Sequence, residues 1–334
     1  MRTDLKITTF NLLNYLEPPN AYYELENIYT NEQWQKKQKW ITDMLKEADS
    51  DVVCFQEVFS PDSLKQLMLK SGYDYFSVID APTNEESYLY SDPVLAIASR
   101  FPIRRTVEVK PNEKLAASVP FSEPFAFSRK PIHATLYVEG TGEIELINVH
   151  LKSQRAKMPQ AVESEEIEAS GHMAELKFGR WLSTIQRGFE SHFLNQYIWQ
   201  LKQQDGKPFI VAGDFNKSIE SDEIRVLLDE LATDSHHSDS RAPLLFDSWK
   251  LYCGQFGNEK DFLQWSRKPT HYHGAIGNTL DYILLSEEFD SNNSFARFNV
   301  VDYSVIDQHI INPQFELDRL SSDHAVVTVT IELR

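Results

Sequence analysis

The run Ile210-Val211-Ala212-Gly213-Asp214-Phe215-Asn216 reads as a buried strand with a polar end. Phe209 to Ala212 is a short apolar run preceded by Gly206 and Pro208, the punctuation that precedes a strand. Gly213 releases the backbone, and Asp214 and Asn216 then follow two residues apart, a spacing that turns both side chains to one face of an extended segment. A carboxylate and an amide side by side at the end of a buried strand form a polar floor that apolar packing alone would not choose. A turn is the competing reading, because Gly, Asp and Asn are the usual turn residues and G-D-x-N on its own is more often a turn than a site. Recurrence elsewhere in the chain shifts the balance.

Five further apolar runs end in, or lead through, a polar residue suited to a metal or a phosphate. Ile7 to Phe10 ends at Asn11, Val52 to Gln56 at Glu57, and Leu146 to Val149 at His150. Thr279-Leu280 leads to Asp281 before Tyr282-Ile283-Leu284-Leu285, and Ser321-Ser322 leads to Asp323-His324 before Ala325-Val326-Val327. Each has an ordinary explanation: a strand-end turn, a residue approaching a helix, a satisfied core histidine, a cap. Together the six ends bring two Asn, four acids and two His. Carboxylates gathered in a dry site repel unless a proton or a cation separates them. A hard divalent ion with oxygen ligands resolves this, Mg²⁺ held by one or two carboxylates plus water being the expected form.

The chain has 334 residues, a length that allows two domains or one large α/β or sandwich fold. It can bury about three quarters of its unfolded surface and needs no disulfide staples. Of its two cysteines, Cys54 lies in a strand-like run and Cys253 in a polar region, which suggests neither a disulfide framework nor a thiolate metal site. The N-terminus enters strand-like sequence directly, and no apolar run approaches a membrane span. The expectation is a soluble, cytoplasmic protein without an obligate protein partner; a leader removed before Met1 would make it a secreted one. A net charge of −17 argues against a protein that coats nucleic acid through a broad basic surface. It suits a carboxylate-rich site whose cation meets the substrate's phosphate.

Strand-like runs are expected at 5–11, 51–57, 74–79, 93–99, 104–109, 132–138, 143–151, 208–214, 279–285, 298–303 and 324–333. Glu143 to Val149 alternates, as a strand in a sheet with one covered face does. Residues 31–48 set Trp34, Ile41, Leu45 and Ala48 on one helical face behind a Thr30/Gln33 capping box. Ser60-Pro61 opens a second helix carrying Leu64, Leu67 and Met68. Ser221 is expected to cap a third, with Ile224, Leu227, Leu228 and Leu231 at helical spacing. Residues 172–203 read as one long helix, or two broken near Gly188, with Phe178, Leu182, Ile185, Phe189 and Phe193 as a core-facing stripe. Polar, Pro-bearing loops are expected at 80–92 and 110–128. A loop at 153–171 follows Lys152 and carries Arg155, Lys157 and an acidic run. The basic cluster after His150 is as readily a solvated loop as a substrate contact. The whole reads as one α+β domain over 1–334, with two mainly antiparallel sheets packed face to face and helices outside, a four-layered α/β sandwich.

The series F-N-L-L-N (Asn11), Q-E-V (Glu57), N-V-H-L (His150), G-D-F-N (Asp214, Asn216), L-D-Y-I-L-L-S (Asp281) and S-S-D-H-A (Asp323, His324) resembles the endonuclease/exonuclease/phosphatase superfamily, in that family's order. The resemblance spans nearly the whole chain. It implies the four-layered α/β sandwich with the site at one end of the two sheets. It also implies a metal ligand set of Glu57 helped by Asn11 and Asp323, with Mg²⁺ as the ion and Mn²⁺ able to substitute. Asp214 and Asn216 would orient and deprotonate the attacking water. Asp281 would fix the tautomer of His324, a general base or a phosphate-binding cation, and His150 would donate to a phosphate oxygen or the leaving group. His150, where abasic-site endonucleases carry tyrosine, points to deoxyribonuclease-, sphingomyelinase- or phosphatase-like members; Asp92 is the expected carboxylate partner of that histidine.

Three functions compete. The first is a Mg²⁺-dependent phosphodiesterase acting on DNA or RNA, whose backbone Lys152, Arg155, Lys157, Arg104 and Arg105 could meet. The second acts on a small phosphate or lipid headgroup such as an inositol phosphate, sphingomyelin or a nucleotide, a reading the acidity favours. Trp265, Tyr272 and Tyr15 could stack a base or ring, although core packing is their commoner use. The third, a non-catalytic binding module, is disfavoured by the intact set of acids and histidines.

Overall fold

The computed structural model describes residues 4–86, 88–119, 125–156, 169–228, 245–255, 266–294 and 296–334. Twelve strands build two six-stranded sheets. In chain order they are β1 (Asp4–Tyr15), β2 (Val52–Val58), β3 (Tyr75–Ser77), β4 (Val94–Ser99), β5 (Ile103–Glu108), β6 (Ile132–Val138), β7 (Gly142–His150), β8 (Phe209–Asp214), β9 (Phe246–Asp247), β10 (Asp281–Leu285), β11 (Phe298–Ile306) and β12 (Val326–Leu333). The main helices are α1 (Asn31–Ala48), α2 (Pro61–Lys70), α3 (Ala169–Asp205) and α4 (Ser248–Gly254).

The first sheet runs β11-β12-β1-β2-β4-β3 and the second β9-β10-β8-β7-β6-β5. Every pairing is antiparallel except one at the centre of each sheet, β1 with β2 and β7 with β8. Parallel neighbours need a long crossover, and α1 and α3 supply one each. The two βαβ units therefore point the C-terminal ends of four central strands toward one rim, which is where Asn11, Glu57, His150 and Asp214 stand.

Three apolar layers hold the sandwich. Between the sheets lie Ile7, Cys54, Ile97, Leu136, Leu146, Ile210, Ile283 and Val329. Phe10, Phe55, Trp40, Ile41 and Met68 fix α1 and α2 to the outer face of the first sheet, and Val149, Leu194, Ile198, Val211 and Tyr282 fix α3 to the second. Alternation along each central strand supplies both layers, because successive side chains point to opposite faces.

Beneath the rim a fully buried amide pair ties the sheets together. Gln56 Nε2 donates to Asn148 Oδ1 at 2.8 Å, and Asn148 Nδ2 donates to the carbonyls of Phe55 (3.0 Å) and Ala96 (2.9 Å).

The Thr30/Gln33 capping box forms, and Pro61 opens α2. Three expectations need correction. Ser221 caps no α-helix: its Oγ is buried without a partner among the described residues, and the segment makes turns and a 3₁₀ turn at Arg225–Leu227, while Leu231 lies outside the described residues. Ile224 and Leu227 still reach the core from that geometry. Residues 169–205 form one unbroken helix, yet Phe178 is 53% exposed. Phe189 and Phe193 of the expected stripe do pack inward, while the buried face around the middle of the helix is polar: Ser183, Arg187 and Glu190 grip loop backbone. Arg187 Nη1 donates to Lys152 O at 2.8 Å, Ser183 Oγ donates to Arg155 O at 2.6 Å, and Glu190 accepts from the N–H groups of Ser128 and Lys152. Finally, the 80–92 loop contributes Asn84–Glu86 and Leu89–Tyr90 to a small sheet with Ala21–Tyr22.

Candidate active site

Asn11 is the strut of the rim. Its Oδ1 accepts the N–H of Leu13 at 3.0 Å, which turns its Nδ2 toward two acids, Glu57 Oε1 at 3.3 Å and Asp214 Oδ2 at 3.2 Å. One amide thus links the first sheet to the second. Glu57 Oε2 accepts the N–H of Asn14 at 3.0 Å, and the backbone of Glu57 turns through φ 60° as β2 ends. Asp214 Oδ1 accepts the N–H of Asn216, whose Nδ2 reaches Leu151 O at 3.0 Å.

Gly213 makes this possible. Its φ is +151°, and a Cβ there would lie 1.9 Å from the carbonyl oxygen of Val149 on the adjacent strand. Only glycine allows so close an approach.

Asp214 is in turn flanked by both histidines. His150 Nε2 lies 3.4 Å and His324 Nε2 3.8 Å from its Oδ2, and Asp281 Oδ2 accepts from His324 Nδ1 at 2.9 Å. All four side chains are buried. Burial pushes the Asp214 carboxyl up to about 7, with the negative charge of Asp281 adding to it and the imidazole of His324 opposing. Burial would depress His324, but Asp281 and Asp214 outweigh it and hold that imidazole well above its usual range. His150 goes the other way: burial, then the cations Arg129, His324 and Lys152, keep it well below the ordinary value and neutral.

Asp323 lies at the exposed margin of the rim, beside His324. It is half exposed, 3.8 Å from His271 Nε2, at the outer side of His324. Asp92 is not the partner of His150: the carboxylate beside that ring is Asp214, His150 Nδ1 has no hydrogen-bond partner among the described residues, and Asp92 lines a cavity of about 150 Å³ with Arg129. Arg104 is also misplaced as a substrate contact. It stacks on Tyr137 and pairs with Glu143 at the start of β7, the end away from His150. Its neighbour Arg105 lies exposed along the same edge strand. Tyr15 is core, packed on Trp34, and Tyr272 belongs to a hairpin; Lys157 and Trp265 lie outside the described residues.

A sequence model of the endonuclease/exonuclease/phosphatase family matches residues 8–324. The chain belongs to this family. It is accordingly a metal-dependent phosphoric ester hydrolase. Solved structures share the fold at low identity. The human Nocturnin catalytic domain with bound sulfate superposes with a TM-score of 0.57 at 17% identity, over 100% of this chain and 96% of that one. Truncated TDP2 from Caenorhabditis elegans gives 0.54 at 15%, over 98% and 97%. An endonuclease/exonuclease/phosphatase from Bacteroides vulgatus gives 0.54 at 16%, over the whole of both chains. No curated protein sequence gives a significant match.

The donor set fits a hard cation. Glu57, Asp214 and Asp281 crowd one rim, and two oxygens there, Asn14 Oδ1 and Asp281 Oδ1, are buried without hydrogen-bond partners among the described residues. Among the described residues two groups bring one candidate atom per residue within 4.8 Å of each other, Asp214/Asp281/His324 and His271/Asp323/His324; both share His324, which can face a cation only after losing its proton, so the carboxylates are the donors that fit. Lys37, fully buried on α1, donates to Leu320 O at 3.4 Å within electrostatic reach of Glu57 and Asp323, and burial pulls its ammonium down to about 8.

Sequence reasoning missed several members. Asn14 presents its N–H to Glu57. Thr270 Oγ1 accepts the N–H groups of Leu280 (2.9 Å) and Asp281 (3.1 Å), fixing where β10 begins. His271 forms a bridge to His324, with ring centroids 5.0 Å apart. Thr270 and His271 lie eleven and ten residues before Asp281, so no strand-end pattern marks them.

Proposed function

We propose that the chain is a Mg²⁺-dependent phosphodiesterase that hydrolyses nucleic acid. The observation that supports this most is the run of contacts from Asp281 through His324 to Asp214, joined by Asn11 to Glu57. It sets a proton acceptor, a held imidazolium and a metal-binding acid around one small space. Glu57, with Asn11 and Asp323, would hold the ion. When bound, the ion acts as a Lewis acid that polarises the phosphoryl oxygen and offsets its growing charge.

This chain's own residues supply the rest. Asp214, pushed up to about 7, can take a proton from water at neutral pH, and Asn216 holds that carboxylate in place. The water oxygen bonds to phosphorus while the bond to the leaving oxygen breaks. His324, kept protonated by Asp281, donates to the phosphoryl group and supplies the proton the leaving oxygen needs. His150, neutral, offers a ring N–H to a non-bridging oxygen. Both cysteines are free and buried, which suits a reducing compartment, and we place the enzyme in the cytoplasm.

Plasmid and single-stranded oligonucleotides incubated with Mg²⁺ or Mn²⁺, with and without chelator, test the proposal. Metal-dependent cleavage is expected. The net charge of −17 favours a compact substrate as the second reading. Turnover of an inositol phosphate, sphingomyelin or a nucleotide, with nucleic acid left intact, would select it.

A further inference from the structure

Among the described residues, six that bear side chains adopt positive φ: Leu13, Asn14, Tyr23, Asp49, Glu57 and Asn216. Such outliers persist only where their surroundings over-determine them, and they gather at functional sites. Asp49 is the ordinary case, the left-handed cap of α1. Glu57 and Asn216 belong to the rim, and Leu13 and Asn14 turn their N–H groups onto Asn11 and Glu57. Tyr23 alone is left without a role, and a bulky aromatic at φ 60° is a genuine outlier.

Its surroundings say what the strain achieves. The N–H of Tyr23 donates to Tyr90 O at 2.9 Å, which anchors the residue to the small sheet beside the rim. The ring stands edge-on to Phe59, two residues beyond Glu57, with centroids 5.6 Å apart and planes at 83°. The residue is nevertheless 41% exposed, so a core role does not explain it. Around its hydroxyl stand the charges of Glu57, Arg129, Arg155 and Asp92. The hydroxyl is pushed up to about 12, chiefly by burial and then by Glu57, and stays a neutral donor at working pH.

We propose that Tyr23 is a specificity-determining residue whose partly exposed ring stacks on the base of a nucleotide adjoining the scissile phosphate. The inference rests on the nuclease reading and deepens it: the substrate is a strand whose bases are splayed out, not a duplex read through its groove. Aromatic faces hold unpaired bases because every base offers a π-face, and Arg129 and Arg155 nearby suit a chain that carries phosphates. Those cations also distinguish a polyanion from an uncharged lipid surface as the occupant.

The test compares a single-stranded oligonucleotide with one of the same backbone carrying abasic residues beside the cleaved phosphate. Wild-type protein should prefer the intact strand by about 10–100-fold in kcat/KM. Tyr23→Leu should lose most of that preference, and Tyr23→Trp should keep it. With chelator present, a 2-aminopurine base placed there should be quenched by wild type and by Tyr23→Trp but not by Tyr23→Leu. Equal rates of wild type on both strands, or an equal loss on both in Tyr23→Leu, would overturn the stacking while leaving the nuclease reading intact. No cleavage of either strand with any metal would sink the nuclease reading and the stacking with it. Sedimentation with phosphatidylcholine vesicles that Tyr23→Leu abolishes would assign the ring to a membrane instead.

Discussion

His324 and Asp281 approach the rim from opposite sheets and meet in a 2.9 Å hydrogen bond, Nδ1 to Oδ2, with both side chains buried. Asp281 raises the proton affinity of a ring that burial alone would strip of charge. Asp281→Asn keeps the shape and removes the charge. It should cut kcat by about 10²–10⁴-fold while leaving the fold intact. The sign of the pH effect follows. His324 is protonated below its raised value, so wild-type activity should persist to alkaline pH and fall as pH passes through that value. In Asp281→Asn the alkaline limb should move to lower pH. Rate profiles and the NMR titration of His324 measure both, and an unmoved titration would show that Asp281 does not hold the proton on that ring.

Glu57 is tied at both oxygens, to Asn11 Nδ2 and to the N–H of Asn14, so its carboxylate is held before any ion arrives. Glu57→Gln should cost at least about 10³-fold in turnover, on the scale of losing a principal electrostatic group. It should also abolish the rise in melting temperature that Mg²⁺ or Mn²⁺ gives wild type. Saturating a site at a hundred times its dissociation constant stabilises by about 2.7 kcal/mol, a readily measured shift. If the Glu57→Gln variant melts higher with metal, as wild type does, the ion binds elsewhere.

Asn148 joins two sheets through one amide, with Gln56 Nε2 and the carbonyls of Phe55 and Ala96 as partners. Asn148→Ala takes the amide from the carbonyls of Phe55 and Ala96 and leaves Gln56 Nε2 with Cys54 O alone. Each buried group so deprived costs about 1–3 kcal/mol, and a loss of about 3–5 kcal/mol is expected in urea unfolding, with the slope unchanged. Activity at a temperature where the variant stays folded should fall only modestly, since no substrate-facing atom is removed.

The rim was legible in the sequence because its residues end apolar strands, and period-two alternation makes strand ends easy to place. Asp214, His150 and Glu57 are of that kind. Thr270, His271 and Asn14 are not: they reach the site through a hairpin and a left-handed turn, whose direction depends on packing far along the chain. Long-range pairing also defeated the choice of Asp92 for His150, since β8 brings Asp214 to that ring through register, His150 opposite Asp214. On α3 the apolar period holds for Phe189 and Phe193, which pack inward, and fails at Phe178, which is exposed. Arg187 and Glu190 are buried there because loop carbonyls and N–H groups satisfy them, and hydrophobicity carries no trace of that.

Gly213 tests how tightly the strand end is set. With φ +151° and the Val149 carbonyl oxygen 1.9 Å from an added Cβ, Gly213→Ala must shift backbone shared by β7 and β8. The expected result is a loss of roughly 3 kcal/mol or more, or insoluble expression, from a single methyl group. Wild-type melting with full activity would show that the strand pair can separate without harm.

A second buried ion pair, away from the rim, gives a pH dependence free of any metal. Glu145 Oε2 accepts from Thr135 Oγ1 (2.7 Å) and lies 2.8 Å from His133 Nε2, while Lys207 Nζ reaches Oε1 at 3.1 Å and Tyr197 Oη meets the other ring nitrogen of His133. Burial opposes ionisation of Glu145, but its hydrogen bonds to His133 and Thr135 and the charges around it prevail and bring the carboxyl down to about 2. A carboxyl depressed in the folded state stabilises above its unfolded value, near 4.5, and loses that contribution as pH falls toward 2. Glu145→Gln should therefore melt lower than wild type by a constant amount above about pH 5, on the order of 3 kcal/mol. Between pH 4.5 and 2 the two curves should converge. The comparison is cleanest in chelator, where His324 and Asp214 respond to no ion. A gap that persists undiminished at about pH 2 would mean that the glutamate contributes by packing and not by charge.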